Sequence, residues 1–274
     1  MATWFVTGAS EGIGRAVAEQ LLAEGHRVAA TARRVDRLAD LENAWTAALD
    51  ITDTAAVREV VARAFAELGQ IDVILSNAGR AAFGAAEELS DEAIAEQVAV
   101  NMTGPIQLLR TVLPFLRAQR AGRFIQTSTM GAQITSPGGS MYHASKWGVE
   151  GFLESVIGEV APLGIGITMV EPGNVRTGFG AAMSIAPAID AYAHTPVGQV
   201  RRYIEGAGGN LTGNALGDPR KVAAAIIGSA TVTPAPRRLV LGSDAYQAIQ
   251  DALTGRLSEL EAGKTLAATT DFSS

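Results

Sequence analysis

Tyr142 and Lys146 lie four residues apart in the run Tyr142-His143-Ala144-Ser145-Lys146. On a helix, positions i and i+4 share one face, so the phenol and the ammonium can reach the same spot. A free phenol, with a pKa of about 10, is a slow proton exchanger near neutrality. A neighbouring ammonium favours the phenolate and draws that pKa toward the working range. Such a pair suits proton delivery to an oxygen on which negative charge develops, as when a carbonyl accepts a hydride, and proton removal in the reverse direction.

A second group of residues has the chemistry of a phosphate cradle. The run Thr7-Gly8-Ala9-Ser10-Glu11-Gly12-Ile13-Gly14 follows a short apolar strand pattern and opens a helical one. Glycines there let the turn tighten and bring backbone N–H groups to a pyrophosphate at the positive end of the helix. The spacing is G-x-x-x-G-x-G, and its place between first strand and first helix points to dinucleotide binding. At the end of the second strand, where a carboxylate would hold a ribose 2′-hydroxyl, the chain reads Ala30-Thr31-Ala32-Arg33-Arg34. Two guanidinium groups can hold a 2′-phosphate bidentately, so NADP(H) is favoured over NAD(H). The competing reading leaves both arginines capping a helix or solvated.

The elements that must position these groups alternate regularly. Strand-like runs fall at Thr3–Thr7, 27–31, 46–49, 72–76, 123–128, 165–170 and Arg238–Leu241, with helical patterns at 15–23, 55–68, 93–116 and Ser140–Val160. That alternation, with strands that are apolar throughout, predicts an α/β fold: a doubly wound parallel sheet of about seven strands with helices on both faces. No linker or repeat divides residues 1–243, which are expected to form one catalytic domain. Residues 178–214, rich in Gly, Ala and Pro, read as a substrate lid or as a helical insertion. In residues 244–274, Tyr246, Ile249, Leu253, Leu257 and Leu260 fall on one helical stripe, which must be buried against the core or another subunit.

Ser76-Asn77-Ala78-Gly79, Asn101, Tyr142 with Lys146, and Pro172-Gly173-Asn174-Val175-Arg176-Thr177 follow the glycine turn in order. In this order and spacing the set resembles the short-chain dehydrogenase/reductase family, in its compact single-domain branch, over about residues 2 to 242. The resemblance implies a Rossmann-like fold. It also implies Tyr142 as general acid in reduction and base in oxidation, with Lys146 tuning it and bonding the nicotinamide ribose. Asn101 would hold a water that passes the proton through the lysine; the alternative is a helix-kink residue bonded to its own backbone.

The family's usual serine, about thirteen residues before the tyrosine, is here Thr129. Threonine also carries a hydroxyl that can hold a carbonyl, and Ser128 is the fallback. By the same resemblance Gly8, Ser10, Glu11, Gly12, Ile13 and Gly14 line the pyrophosphate turn, and Asp50 with Ile51 meets the adenine. Asn77, Ala78 and Gly79 pass beneath the ribose, and Pro172, Gly173, Val175 and Thr177 hold the carboxamide. Glu11 departs from the basic residue common in NADP-binding relatives, leaving the 2′-phosphate to Arg33 and Arg34.

Composition removes other classes. Lys and Arg total 22 against 28 Asp and Glu, a net charge of −6 that argues against a nucleic-acid or anionic-lipid surface. Absence of cysteine excludes disulfides, thiol catalysis and thiolate metal sites, and three scattered histidines (His26, His143, His194) make no metal cluster. No apolar run has the length of a membrane span and no signal pattern is evident, so a cytoplasmic place is expected.

From residue 178 to 200 the one formal charge is Asp190, beside the apolar Phe179, Met183, Ile185, Ile189 and Tyr192. That lid suits a largely apolar ketone or aldehyde. The expected protein is an NADPH-dependent carbonyl reductase, reversible as an alcohol dehydrogenase, and by resemblance a homodimer or homotetramer. A catalytically silent NADP-binding regulator or scaffold is the alternative, and an epimerase or dehydratase a third. Arg117, Arg120 and Arg123 could dock an acidic carrier or simply be solvated.

Overall fold

Short runs of Val, Ile, Ala and Thr form strands that are buried on both sides, and only helices laid over both faces can cover them. The computed structural model describes residues 1–209 and 212–272. The strands are β1 (Thr3–Thr7), β2 (Arg27–Ala32), β3 (Trp45–Ala48), β4 (Val73–Ser76), β5 (Ala82–Phe83), β6 (Gly122–Thr127), β7 (Ile165–Pro172), β8 (Ser184–Ile185) and β9 (Arg238–Leu241). Seven of them make one sheet, ordered β3-β2-β1-β4-β6-β7-β9 and parallel throughout. The helices are α1 (Gly12–Ala23), α2 (Thr54–Leu68), α3 (Asp91–Val98), α4 (Gly104–Gln119), α5 (Ser140–Val160), α6 (Pro196–Gly206), α7 (Pro219–Ser229) and α8 (Ser243–Ala268). Among the described residues no helix is long and apolar enough to cross a membrane.

Two cores flank the sheet. On one face Phe5, Ile74, Phe124 and Ile167 meet Val57 and Val61 of α2, Leu108 and Val112 of α4, and Val149 and Leu153 of α5. On the other, Val6, Leu75 and Ile125 meet Val17 and Leu21 of α1 and Ile226 of α7. Alternate residues of each strand serve opposite cores, as the two-residue period requires. Successive strands lie on opposite sides of β1 after β3, so the chain reverses direction between β1 and β4. A crevice opens there at the strands' carboxyl ends, where ligands bind in such sheets.

The predicted sheet is present, and the differences are local. The expected continuous helix over 93–116 is interrupted: α3 runs through a π turn at Ala99–Thr103 into α4. Pro105 has no N–H to give to the carbonyl four residues back, so the α ladder cannot pass Asn101 unbroken. The segment read as either a lid or a helical insertion contains a short strand and a helix. β8 pairs in parallel with β5, a one-turn 3₁₀ helix follows at Asp190–Tyr192, and then α6. Its residues 210 and 211 lie outside the described residues, as do 273 and 274 of the tail.

A buried ion pair fastens this segment. Glu88 accepts the backbone N–H groups of Ala85 at 2.6 Å and Ile189 at 2.9 Å, and pairs with Arg201 of α6 at 2.7 Å. Burial alone would raise the Glu88 carboxyl, but those N–H groups and Arg201 hold it below the ordinary range. Arg201 also donates to the Ala186 carbonyl at 2.7 Å and stacks over Phe83.

The tail stripe divides. Ala245 and Ile249 of α8 are buried, whereas Leu253, Leu257 and Leu260 are at least half exposed. Ahead of them Asp244 turns back to the loop after β7, accepting the Asn174 N–H at 2.9 Å. The first turns of α8 thus belong to the core. Asp244→Ala removes an acceptor shared by the Asn174 N–H and amide, worth about 1–2 kcal/mol, and should lower the melting temperature by roughly 2–6 °C. Asp251→Ala, which loses one exposed bond to Gln247, should leave it unchanged in the same calorimetric scan.

Candidate active site

The glycine turn is shaped by contacts that exclude side chains. Gly8 has φ +66°, and a Cβ there would stand 2.9 Å from the Ala78 Cα. A Cβ on Gly14 would collide with the Gly8 carbonyl and the Asn77 amide, so helix α1 can start this close to β1 only with glycine. Gly12 has φ +59° and faces Thr177. Glu11 precedes α1 without a side-chain cap, leaving the first-turn N–H groups aimed into the crevice. Ser10 lies in the turn itself, and Ile13 packs on the core behind it. An uncapped helix start behind a turn closed tightly at Gly8 and Gly14 fits a pyrophosphate.

Asn77 holds the turn from below. Its amide donates to the carbonyls of Thr7 and Gly8, each at 3.2 Å, and its N–H donates to the Thr7 hydroxyl at 2.9 Å. Ala78 N–H shares that hydroxyl at 3.2 Å. Gly79 stands where the next groups converge: a Cβ there would be 3.5 Å from Asn101 Oδ1 and 3.9 Å from Lys146 Nζ.

Around the adenosine end, Arg33 and Arg34 are exposed just beyond β2, and Arg34 lies 3.6 Å from Asp36. Arg37, which the sequence reading passed over, lies 3.7 Å from Glu11 and offsets its charge. Burial and then the nearby Arg33 hold the Arg80 guanidinium below its ordinary value, and Arg80 also pairs with Glu96. Asp50 folds back on the Thr52 N–H and hydroxyl at 2.9 and 2.7 Å, while Ile51 is buried against the start of α4.

At the other end, Gly173 N–H bonds the Leu241 carbonyl, with Pro172 closing β7. A side chain on Gly173 would collide with Asp244. Val175 is buried and bridges to Gly217. Thr177 accepts the Phe179 N–H at 3.3 Å and covers Gly12.

The candidate proton-transfer residues collect on α5 and its neighbours. The Thr129 side chain stands close enough to the Tyr142 phenol to favour the phenolate, and the tyrosine ring lies 6.2 Å from that of Phe179. Ser128 is turned elsewhere: its hydroxyl donates to Glu150 at 2.5 Å. The fallback choice of Ser128 for the catalytic hydroxyl is therefore corrected, because backbone alternation past β6 sends its side chain to the opposite side. Lys146, 3% exposed, donates to the Thr127 carbonyl at 2.9 Å.

The expected lowering of the phenol by the ammonium is also corrected. Burial pushes Tyr142 up to about 12, only partly opposed by Thr129, and burial pulls Lys146 down to about 8, partly opposed by Glu150. Both shifts keep the neutral form, as desolvation dictates.

Asn101 is fully buried at the π turn. Its amide accepts the Arg80 N–H at 3.0 Å and donates to the Arg80 carbonyl at 2.9 Å. It clamps the loop after β4 instead of bonding its own helix, which removes the helix-kink alternative.

Several positioning residues escaped the sequence reading. His143 Nδ1 and Trp147 Nε1 both donate to the Gly131 carbonyl, at 2.8 and 3.0 Å, while His143 Nε2 accepts the Ser136 N–H at 3.0 Å. These bonds fix the loop carrying Thr129. The four-residue spacing of His143 and Trp147 on α5 was the available signal.

Comparison with known proteins agrees with this geometry. The family model of short chain dehydrogenases matches residues 2–186. An oxidoreductase of Botryotinia fuckeliana, BOA17, is 34% identical over 250 residues, covering 89% of this chain and 90% of its own. A solved short-chain dehydrogenase from Streptomyces avermitilis superimposes with TM-score 0.90 at 36% identity, covering 99% of this chain and all of the other. An alcohol dehydrogenase from the archaeon Thermococcus sibiricus, solved with 5-hydroxy-NADP, gives TM-score 0.71 at 25% identity over 88% of this chain and 96% of the other. A sheet that opens at β1 and β4, a turn that tolerates only glycine and matches along nearly the whole length lead to one assignment: the chain is an oxidoreductase of the short-chain dehydrogenase/reductase family.

Proposed function

We propose that this protein is an NADP(H)-dependent carbonyl reductase acting on a largely apolar ketone or aldehyde, reversible as an alcohol dehydrogenase. The observation that carries the reading is the approach of the Thr129 side chain to the Tyr142 phenol, beside the ring of Phe179. Bound NADPH supplies the hydride. Thr129 and Tyr142 then present two hydroxyls to one substrate oxygen, and Tyr142 gives up its proton as charge develops there. Burial keeps the phenol protonated, which is the form a reduction needs. Lys146 in its ammonium form stabilises the phenolate left behind. Asn101 fixes the loop containing Gly79, which borders Lys146.

Phe179, Ile185 and Ile189, each more than a third exposed, offer the lid's apolar surface to such a substrate. Arg33 and Arg34, both exposed at the end of β2, are available to a 2′-phosphate. A similar protein points the same way: the archaeal alcohol dehydrogenase was solved with 5-hydroxy-NADP. A silent NADP-binding protein would keep the cradle and lack turnover.

The deciding assay follows nicotinamide absorbance with a panel of neutral aryl, cyclic and steroidal ketones and with anionic oxo acids. Turnover of neutral ketones with NADPH should fall about 10²- to 10⁴-fold in Tyr142→Phe and about 10²-fold in Thr129→Val, with Thr129→Ser active. NADPH binding without turnover of any substrate would leave the silent protein as the better reading, and strong turnover confined to anionic substrates would sink the apolar class.

The Arg33→Ala, Arg34→Ala double variant should raise KM for NADPH about tenfold to a hundredfold while leaving KM for NADH alone. Equal losses with both cofactors would count against the 2′-phosphate role.

The same reading includes a homodimer or homotetramer in which Leu253, Leu257 and Leu260 of α8 face another subunit. Light scattering should report a smaller assembly for a chain ended after residue 252, which keeps Asp244, Ala245 and Ile249. Identical masses would remove this face from the interface.

A further inference from the structure

Behind Lys146 lies a second set of titratable groups that the reaction scheme does not use. Glu150, one helical turn beyond Lys146 on α5, and Glu171 of β7 are 2% and 0% exposed. Two buried carboxyl groups held on the same donors cannot readily both ionise, and the presence of Glu150 raises Glu171. Gln133 Nε2 bridges them, at 3.0 Å from Glu150 and 3.1 Å from Glu171. Arg238 of β9 reaches both, its Nε 2.9 Å from Glu171 and a terminal nitrogen 3.3 Å from Glu150. It is shared in turn with Glu154 of α5, which Arg237 approaches at 4.0 Å. His143, on the same helix, is engaged with Gly131 and Ser136 instead.

The donors are unevenly divided. Glu150 receives the Ser128 hydroxyl at 2.5 Å as well as Gln133 and Arg238. Glu171 Oε2 is buried with no donor among the described residues. An anion tolerates an unsatisfied buried oxygen far less than a neutral acid does. The proton therefore belongs on Glu171 and the charge on Glu150.

We propose that Glu150 and Glu171 are a proton-sharing pair in which ionised Glu150 is a positioning residue, supplying the fixed negative charge that keeps the buried Lys146 an ammonium while anchoring Ser128 so that Thr129 faces Tyr142. This rests on the roles given above to Tyr142, Lys146 and Thr129. It adds why a lysine sealed from water can remain charged: burial drives it toward the neutral amine, down to about 8, and Glu150 opposes that. Glu171, pushed up to about 7 by burial and by Glu150, absorbs the proton that would otherwise neutralise Glu150.

The chain has three lysines, Lys146, Lys221 and Lys264. NMR of protein carrying ¹³Cε-labelled lysine, without cofactor, gives one titration per lysine and is independent of turnover. Glu150→Gln keeps shape and an acceptor for Ser128 while removing charge. It should move the Lys146 midpoint down by about one pH unit, with the alkaline limb of kcat/KM for ketone reduction moving down by the same amount. Glu171→Gln should leave that midpoint in place.

Glu171 also leaves a mark on stability. A folded-state value raised above the unfolded one favours folding below the unfolded value, and that advantage is lost as pH rises toward about 7. Glu171→Gln should accordingly weaken the fall in melting temperature between acid and neutral pH, a second readout should Glu150→Gln fail to fold. A Lys146 midpoint unmoved in Glu150→Gln, or a melting profile unchanged in Glu171→Gln, would overturn the pair. A uniform loss of activity with unmoved titrations would mark a purely structural role. A wild-type chain that reduces no ketone yet shows the shifted titrations would fail the proposed function and leave the pair standing.

Discussion

The site depends first on one side chain that joins three strand ends. Asn77 takes the Thr7 and Gly8 carbonyls of the glycine turn with its amide N–H groups and the Thr127 hydroxyl at 3.2 Å with its oxygen. The Thr127 carbonyl in turn receives the Lys146 ammonium. Glycine turn, crevice floor and catalytic helix are thereby fixed to one another through a single amide. Parallel strands leave their carboxyl ends without ladder partners, and an asparagine with two donors and an acceptor satisfies several of those groups at once.

From that stitch the geometry runs along α5. Tyr142, Lys146 and Glu150 succeed one another at four-residue spacing, so they form a column from the lid side to the buried carboxyl pair. The column is desolvated as it deepens, and both ionisable groups at its upper end shift toward their neutral forms. Burial keeps the proton on the phenol and draws it from the lysine, and Glu150 opposes the second effect.

Much of this was legible in the residues themselves. The glycine turn and the Tyr142–Lys146 spacing carry their chemistry in their period, and apolar strands alternating with helices leave few sheet topologies. Boundaries moved by a residue or two, because ladder partners rather than propensity end a strand. What stayed hidden depends on contacts distant in sequence. Asp244 reaches back 70 residues to Asn174, Glu88 waits 113 residues for Arg201, and the shift of Tyr142 reverses sign because burial is a property of the fold. The break at Asn101 did have a local signal in Pro105, whose missing N–H disrupts the helix ladder.

The fastening of the lid has a further consequence, for how such a protein can diverge. Because Glu88 sits on the core side and satisfies lid backbone as well as Arg201, the lid cannot be exchanged as an isolated cassette. A replacement lacking Arg201 leaves a buried carboxylate short of its partner, at a cost of about 3–5 kcal/mol. A change to the 178–206 segment that removes Arg201 therefore requires a matching change around Glu88. The two stretches, far apart in the chain, are energetically one unit.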